Sequence, residues 1–95
     1  MENKYTVKYL DRFRKQMRKL DKSTSRRIQI WVDNNLQNSI NPRSNAVMLK
    51  GRSEPIWRWR VGNYRIIGKI IDKELIILCL EVAHRKDVYR TGNKT

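Results

Sequence analysis

The chain has 95 residues and carries 22 Lys and Arg against 9 Asp and Glu, a net charge of +13. That length fits one domain with one core, and the charge favours a polyanionic or acidic partner: RNA, DNA, an anionic membrane or an acidic protein. One cysteine, Cys79, and one histidine exclude an intrachain disulfide and a structural zinc site built from this chain alone.

No apolar run approaches the roughly 18 residues that a membrane span needs. The opening "MENKYTVKYL" lacks the apolar stretch of an export signal. A cytoplasmic protein without a membrane partner is therefore expected, with Cys79 as a reduced core residue.

Along the chain, "KYTVKYL" (4–10) alternates Tyr5, Val7 and Tyr9 against Lys4, Thr6 and Lys8, the pattern of an amphipathic strand. Asp11 reads as a helix N-cap, and Phe13, Met17 and Leu20 then form a helical stripe. "DKSTS" (21–25) is turn and cap chemistry. A second helix is expected from about Ser25 to Gln37, with Ile28, Trp31, Val32 and Leu36 buried. "NSINPRSN" (38–45) reads as a loop, and "AVMLKG" (46–51) as a short apolar turn or strand. Three strands follow: Ile56–Val61, Tyr64–Ile71 and Glu74–Val82, with Asp72-Lys73 as the second turn. "LIILCL" (75–80) is apolar throughout, which suggests a central strand covered on both faces. Residues 1–90 form one domain and 91–95 a frayed tail. The fold class is α+β: a strand, a two-helix hairpin and three antiparallel strands, with the helices on one face of the sheet.

The segment "WRWRVGNYRIIG" (57–68) carries the chemistry. Gly62-Asn63 reads as a two-residue type II′ hairpin turn. That register sets Arg60 opposite Arg65 and Arg58 opposite Ile67, with Lys69 continuing the face. Trp57, Trp59, Val61, Tyr64 and Ile66 point the other way, toward the helices. Asp and Glu are absent from 55–71. Like charges directly opposite cost about 0.2–1 kcal/mol, so Arg65→Ala is expected to be neutral or mildly stabilising. Guanidinium forks suit phosphate oxygens. A solvated charged face and a dock for an acidic protein are the competing readings. Beyond the last strand, "HRKDVYR" (84–90) offers His84, Arg85 and Tyr89. Histidine is the side chain whose ordinary charge change lies near neutrality, and His84 and Tyr89 are candidate proton carriers, although a lone histidine at a strand end is more often structural. No carboxylate cluster near the motif suits Mg²⁺, and no cofactor is expected.

Through "LKG" (49–51), "WRWRVGNYRI" (57–66) and "EVAHRKDVYR" (81–90), the chain resembles the RelE/ParE superfamily of bacterial toxins, and within it the RelE-type messenger RNA endonucleases. The element order agrees over nearly the whole length. The resemblance implies the toxin of a type II toxin–antitoxin system, which cuts mRNA in the ribosomal 30S A site. The 2′-hydroxyl attacks the phosphorus, without metal, and leaves a 2′,3′-cyclic phosphate and a 5′-hydroxyl. It maps Arg65, Arg85 and Tyr89 to catalysis, with His84 supported by other branches of the family, and Arg58 and Arg60 to the scissile phosphate; Lys69 on the same face and Lys50 are expected to join them at the substrate phosphates. Partners implied are a cognate antitoxin with an acidic or amphipathic segment, the ribosome, mRNA and ribosomal RNA. Arg12, Arg14, Lys15, Arg18, Lys19, Arg26 and Arg27 form a second basic surface on the helices, which reads first as a solvated face and, for a ribosome-acting protein, as a nonspecific grip on ribosomal RNA. The sequence departs from one branch, which has lysine where Arg58 and Arg60 stand. Arginine does not give up its proton, so neither residue serves as a general base. The alternatives are a ParE-like inhibitor of DNA gyrase and a non-enzymatic nucleic-acid-binding module.

Overall fold

A computed structural model describes residues 3–87. The elements in order are β1 (Thr6–Tyr9), α1 (Asp11–Lys19), α2 (Lys22–Asn35), β2 (Ala46–Met48), β3 (Trp57–Val61), β4 (Tyr64–Ile71), a 3-10 turn (Asp72–Glu74) and β5 (Ile76–His84). They build a five-stranded sheet in the order β1-β5-β4-β3-β2. β1 runs parallel to β5, and the other pairs are antiparallel. The α+β class and the helix-covered face agree with the sequence pattern. The middle strand is β4, however, rather than the apolar run that opens β5.

The helix boundaries shift for a local reason. Leu10 takes the N-cap position of α1, and Asp11 is its first residue. In α2 the cap is Asp21, three residues before the Thr24 amide that it accepts at 3.2 Å. It also accepts from the Ser23 and Thr24 hydroxyls, at 2.5 and 2.6 Å. "DKSTS" therefore starts the helix instead of preceding it: cap chemistry and turn chemistry use the same residue types.

The main core lies between the sheet and the helices. Phe13 and Met17 of α1 and Ile28, Val32 and Leu36 from α2 and its C-cap meet Trp59, Val61, Ile66, Ile77, Cys79 and Val82. Trp59 is fully buried, and its indole N–H donates to the Pro42 carbonyl at 3.0 Å. That bond satisfies the one polar atom of a large apolar side chain and ties the 38–45 loop to the core. Burial pushes the Cys79 thiol up to about 12, so it stays protonated.

One irregularity decides where the C-terminal residues point. Gly68 pairs with Cys79 while Ile67 pairs with Glu81, leaving Leu80 without a partner on β4. This is a β-bulge, two residues facing one, and it inverts the side-chain alternation beyond it. Strict alternation from Ile77 and Cys79 would turn Glu81 and Ala83 to the helices and His84 away from them. With the bulge, Val82 joins the helix-side core and His84 follows it. Gly68 is the companion residue. A Cβ there would lie 2.6 Å from the Leu78 carbonyl oxygen and 3.1 Å from the Trp59 ring.

Candidate phosphate-binding face

β3 and β4 form the hairpin that the sequence describes. Trp59 faces Ile66, Arg60 faces Arg65 and Val61 faces Tyr64. Gly62 has φ 58°, and Asn63 is not among the positive-φ residues, which fits a type II′ turn. Arg58 and Arg60 on β3 and Arg65, Ile67 and Lys69 on β4 therefore share the face away from the helices.

That face is not uniformly basic. Ile56 and Ile67 are buried on it, packed with Leu49, Leu80 and Ala83 as a second, smaller apolar cluster. Nor is it free of carboxylates. Glu54, just outside the acid-free run, reaches Lys69 and forms an ion pair with it. Glu81, opposite Ile67 in register, reaches instead toward α1, 3.8 Å from Arg12. The basic residues thus divide into two groups. Arg58, Arg60 and Arg65 cluster toward the hairpin tip, and Lys69 sits four residues from Arg65, about 13 Å along the strand.

Within the tip group the three arginines differ. Arg60 is exposed. Arg58 is half-buried, and its Nε is buried without a hydrogen-bond partner. Among the described residues neither Arg58 nor Arg60 forms an ion pair. Arg65 is only 3% exposed. Its Nη1 donates to the carbonyls of Gly62 and Tyr64, both at 2.9 Å. A side chain expected to point at substrate is folded back onto the turn that precedes it.

Arg85 lies beside the same tip. Its backbone N–H donates to the Asn63 carbonyl at 2.8 Å, and its side chain is exposed. Lys50 is exposed on the β2–β3 connection. His84 does not join these residues. It pairs with Tyr64, with the rings edge-on and their centroids 5.4 Å apart, on the helix side of the sheet. Tyr89 lies outside the described residues. The sequence thus placed Arg58, Arg60 and Lys69 on one face correctly. It missed the burial of Arg65, the Glu54–Lys69 pair and the turning away of His84. The only available hint of the last was Gly68, a glycine inside a strand pattern. Among the described residues no group of three His, Cys, Asp or Glu side chains could hold a metal ion, and no helix is long and apolar enough to cross a membrane.

Comparison with known proteins places this geometry. Residues 7–89 match the sequence profile of the ParE toxin of the parDE type II toxin–antitoxin system. No curated protein matches the chain. Among solved structures it is similar to the toxin–antitoxin complex RelBE2 of Mycobacterium tuberculosis, with TM-score 0.77 and 23% identity over 86% of this chain and 92% of that one. It is also similar to the archaeal RelE–RelB complex of Pyrococcus horikoshii, with TM-score 0.68 and 28% identity over 86% and 96%. The isolated RelE toxin of Escherichia coli gives TM-score 0.65 and 20% identity over 95% and 96%. With the strand order, the helix-covered sheet and the profile match in agreement, the chain belongs to the ParE toxin family of type II toxin–antitoxin systems, within the RelE/ParE superfamily.

Proposed function

We propose that the protein is a RelE-type toxin that cleaves mRNA on the ribosome, without metal, by attack of the 2′-hydroxyl on the adjacent phosphorus. The observation that carries this reading is the pairing of Arg58 and Arg60 on one open strand face. Neither has a carboxylate partner among the described residues, and Arg58 keeps a buried Nε without an acceptor. Two neighbouring guanidinium groups without a carboxylate call for an anion, and a phosphodiester supplies that charge with oxygens suited to their exposed donors. In the reaction these two residues bind the scissile phosphate and stabilise the added negative charge of the transition state. Arg85, anchored through its N–H to Asn63, adds a third cation at the tip. Arg65 holds the hairpin turn that sets their spacing. Lys69 and Lys50 meet flanking phosphates. Tyr89 is the proton carrier that this scheme retains, because the His84 ring lies across the sheet.

A cognate antitoxin neutralises the protein, as the RelB-bound relatives suggest, and the cytoplasm is the compartment of both. The second reading is gyrase inhibition. It is favoured by the ParE character of the matched profile and by the distance of His84 from the arginines. The discriminating experiment adds the purified toxin to a translating extract and maps mRNA 5′ ends, beside a supercoiling assay with gyrase. Cuts on ribosome-bound messenger alone, with gyrase unaffected, are the expected result. Intact messenger with inhibited supercoiling overturns it.

A further inference from the structure

The β3–β4 turn meets a cation on its helix side as well. Gly62 has no side chain, and the Arg27 guanidinium of α2 lies against it: a Cβ there would be 3.2 Å from Nη2 and 3.5 Å from Cζ. Arg27 is exposed, and among the described residues it forms no ion pair. Arg60 stands two residues before Gly62, about 7 Å along the strand, on the face away from the helices. The Arg85 N–H is bonded to the Asn63 carbonyl at 2.8 Å. Positive charge therefore continues from the arginine face, around the turn, to the helix side.

A cleft of about 150 Å³ opens beside Arg27. Ile28 and Val61, both buried, give it an apolar floor. Tyr64 is one wall, and its ring is held edge-on against His84 at 5.4 Å. Asn63, exposed in the turn, adds a side-chain amide that both donates and accepts. Thr24 adds a hydroxyl whose proton goes to Asp21 at 2.6 Å, so toward the cleft it is an acceptor. Arg27 is the one charged residue among the described residues that line the cleft. A fixed aromatic ring, an adaptable amide and an exposed cation over an apolar floor are the parts that hold an unstacked nucleotide.

We propose that this cleft is a nucleotide subsite for the messenger, occupied by the nucleotide that adjoins the scissile phosphate. The proposal rests on the RNA-cleaving reading put forward above. Arg27 forks onto the neighbouring phosphate, while Arg58 and Arg60 hold the scissile one on the other side of the turn. The base leaves its stack and lies against Tyr64, Ile28 and Val61. The Asn63 amide bonds the edge of that base, the one contact here that tells bases apart. Strand continuity selects the messenger as occupant. Once the arginines hold one phosphate, the next nucleotide is tethered beside the cleft at high effective concentration.

The test is single-turnover cleavage of ribosome-bound messenger by the intact toxin over a range of toxin concentration. Arg27→Ala is expected to raise the half-saturating concentration about tenfold and to leave the maximal rate within about threefold, because the lost contact is not to the reacting phosphate. Arg26→Ala removes the neighbouring exposed charge, which does not line the cleft, and is expected to stay within about twofold of wild type. Messengers lacking the base on one side or the other of the cut locate the nucleotide. One of the two is expected to weaken the wild type about tenfold, the loss of one stacked base. The same messenger is expected to cost Asn63→Ser at least about threefold less, since part of the contact is already gone. Arg27→Ala and wild type are expected to bind equally to ribosomes with an empty A site. Equal losses in Arg26→Ala and Arg27→Ala, or a loss on empty ribosomes, overturn the proposal in favour of a nonspecific grip on ribosomal RNA. Wild-type cleavage of both base-deleted messengers overturns it outright. Weakened antitoxin binding by Arg27→Ala with unchanged cleavage overturns it in favour of an acidic protein segment at the cleft. A wild-type toxin that leaves ribosome-bound messenger intact overturns the endonuclease reading and this proposal with it.

Discussion

Tyr64 and His84 meet edge-on across β4 and β5, with ring centroids 5.4 Å apart and an interplanar angle of 76°. Their side of the sheet carries the helices, whereas Arg58 and Arg60 occupy the other. The pair separates two roles that the C-terminal motif invites one to merge. His84→Gln is expected to leave single-turnover cleavage on the ribosome within about threefold of wild type, because general acid–base groups act at hydrogen-bond reach. Arg60→Ala is expected to slow it by about 10²–10³, the usual cost of losing a donor to the transition state. A collapse of the rate in His84→Gln, with folding intact, would return the histidine to the chemistry.

Arg65 is a stability residue. On sequence grounds, relief of repulsion from Arg60 makes Arg65→Ala neutral or mildly stabilising. The structure reverses that expectation, because Arg65 is buried and bonds the Gly62 and Tyr64 carbonyls. Loss of hydrogen bonds from a charged donor costs about 1.5–3 kcal/mol, which exceeds the repulsion of about 0.2–1 kcal/mol. Urea unfolding of Arg65→Ala should give a lower midpoint than wild type, and Arg60→Ala should match or exceed wild type.

Gly68→Ala tests the bulge. Its Cβ would lie 2.6 Å from the Leu78 carbonyl oxygen, and backbone gives way less readily than a side chain. Overpacking of this kind costs about 1–3 kcal/mol. The expected result is a destabilised protein in which the Tyr64–His84 ring contact, read by proton NMR, is weakened along with the midpoint. Unchanged stability would mean that β5 slides past the added methyl without penalty.

Glu54 restrains Lys69. With the two in an ion pair, Lys69 meets a phosphate only by exchanging one anion for another. Glu54→Gln should raise affinity for single-stranded RNA at low salt. It should also steepen the dependence of log K on log salt by about 0.7, the increment for one further phosphate contact. Fluorescence anisotropy across a salt series measures both.

Asp21 gives the fold a pH dependence of known sign. Hydrogen bonds from the Ser23 and Thr24 hydroxyls, then the Thr24 amide, lower its carboxyl to about 2. The native pKa is depressed below the unfolded value, so the cap stabilises fully above the unfolded pKa near 4 and is lost as pH falls through about 2. Thermal unfolding followed by circular dichroism should show Asp21→Ala less stable than wild type at pH 6. The gap should close as pH is lowered toward 2.

Local chemistry sufficed for much of this. Period-two alternation in "WRWRV" placed Arg58 and Arg60 opposite the tryptophans, and Gly62-Asn63 fixed the register of the hairpin. Both are properties of neighbours in the chain, and a short-range pattern is enough to set them. The helical stripes of Phe13, Met17, Ile28, Val32 and Leu36 likewise found the core. Three features that define the site are set by the folded chain and not by the alternation pattern. Glu54 meets Lys69 because the loop between β2 and β3 brings it to β4, fifteen residues on in the chain, which composition in a window cannot reveal. Arg65 is buried because its guanidinium returns to its own turn instead of following the exposed course of its neighbour Arg60. His84 changes face because one extra residue, Leu80, is accommodated where Gly68 lets the strands approach. A sequence records alternation but not its phase after a bulge, since the phase is set by the pairing of two strands. Which side of the sheet receives the histidine was therefore decided by tertiary structure.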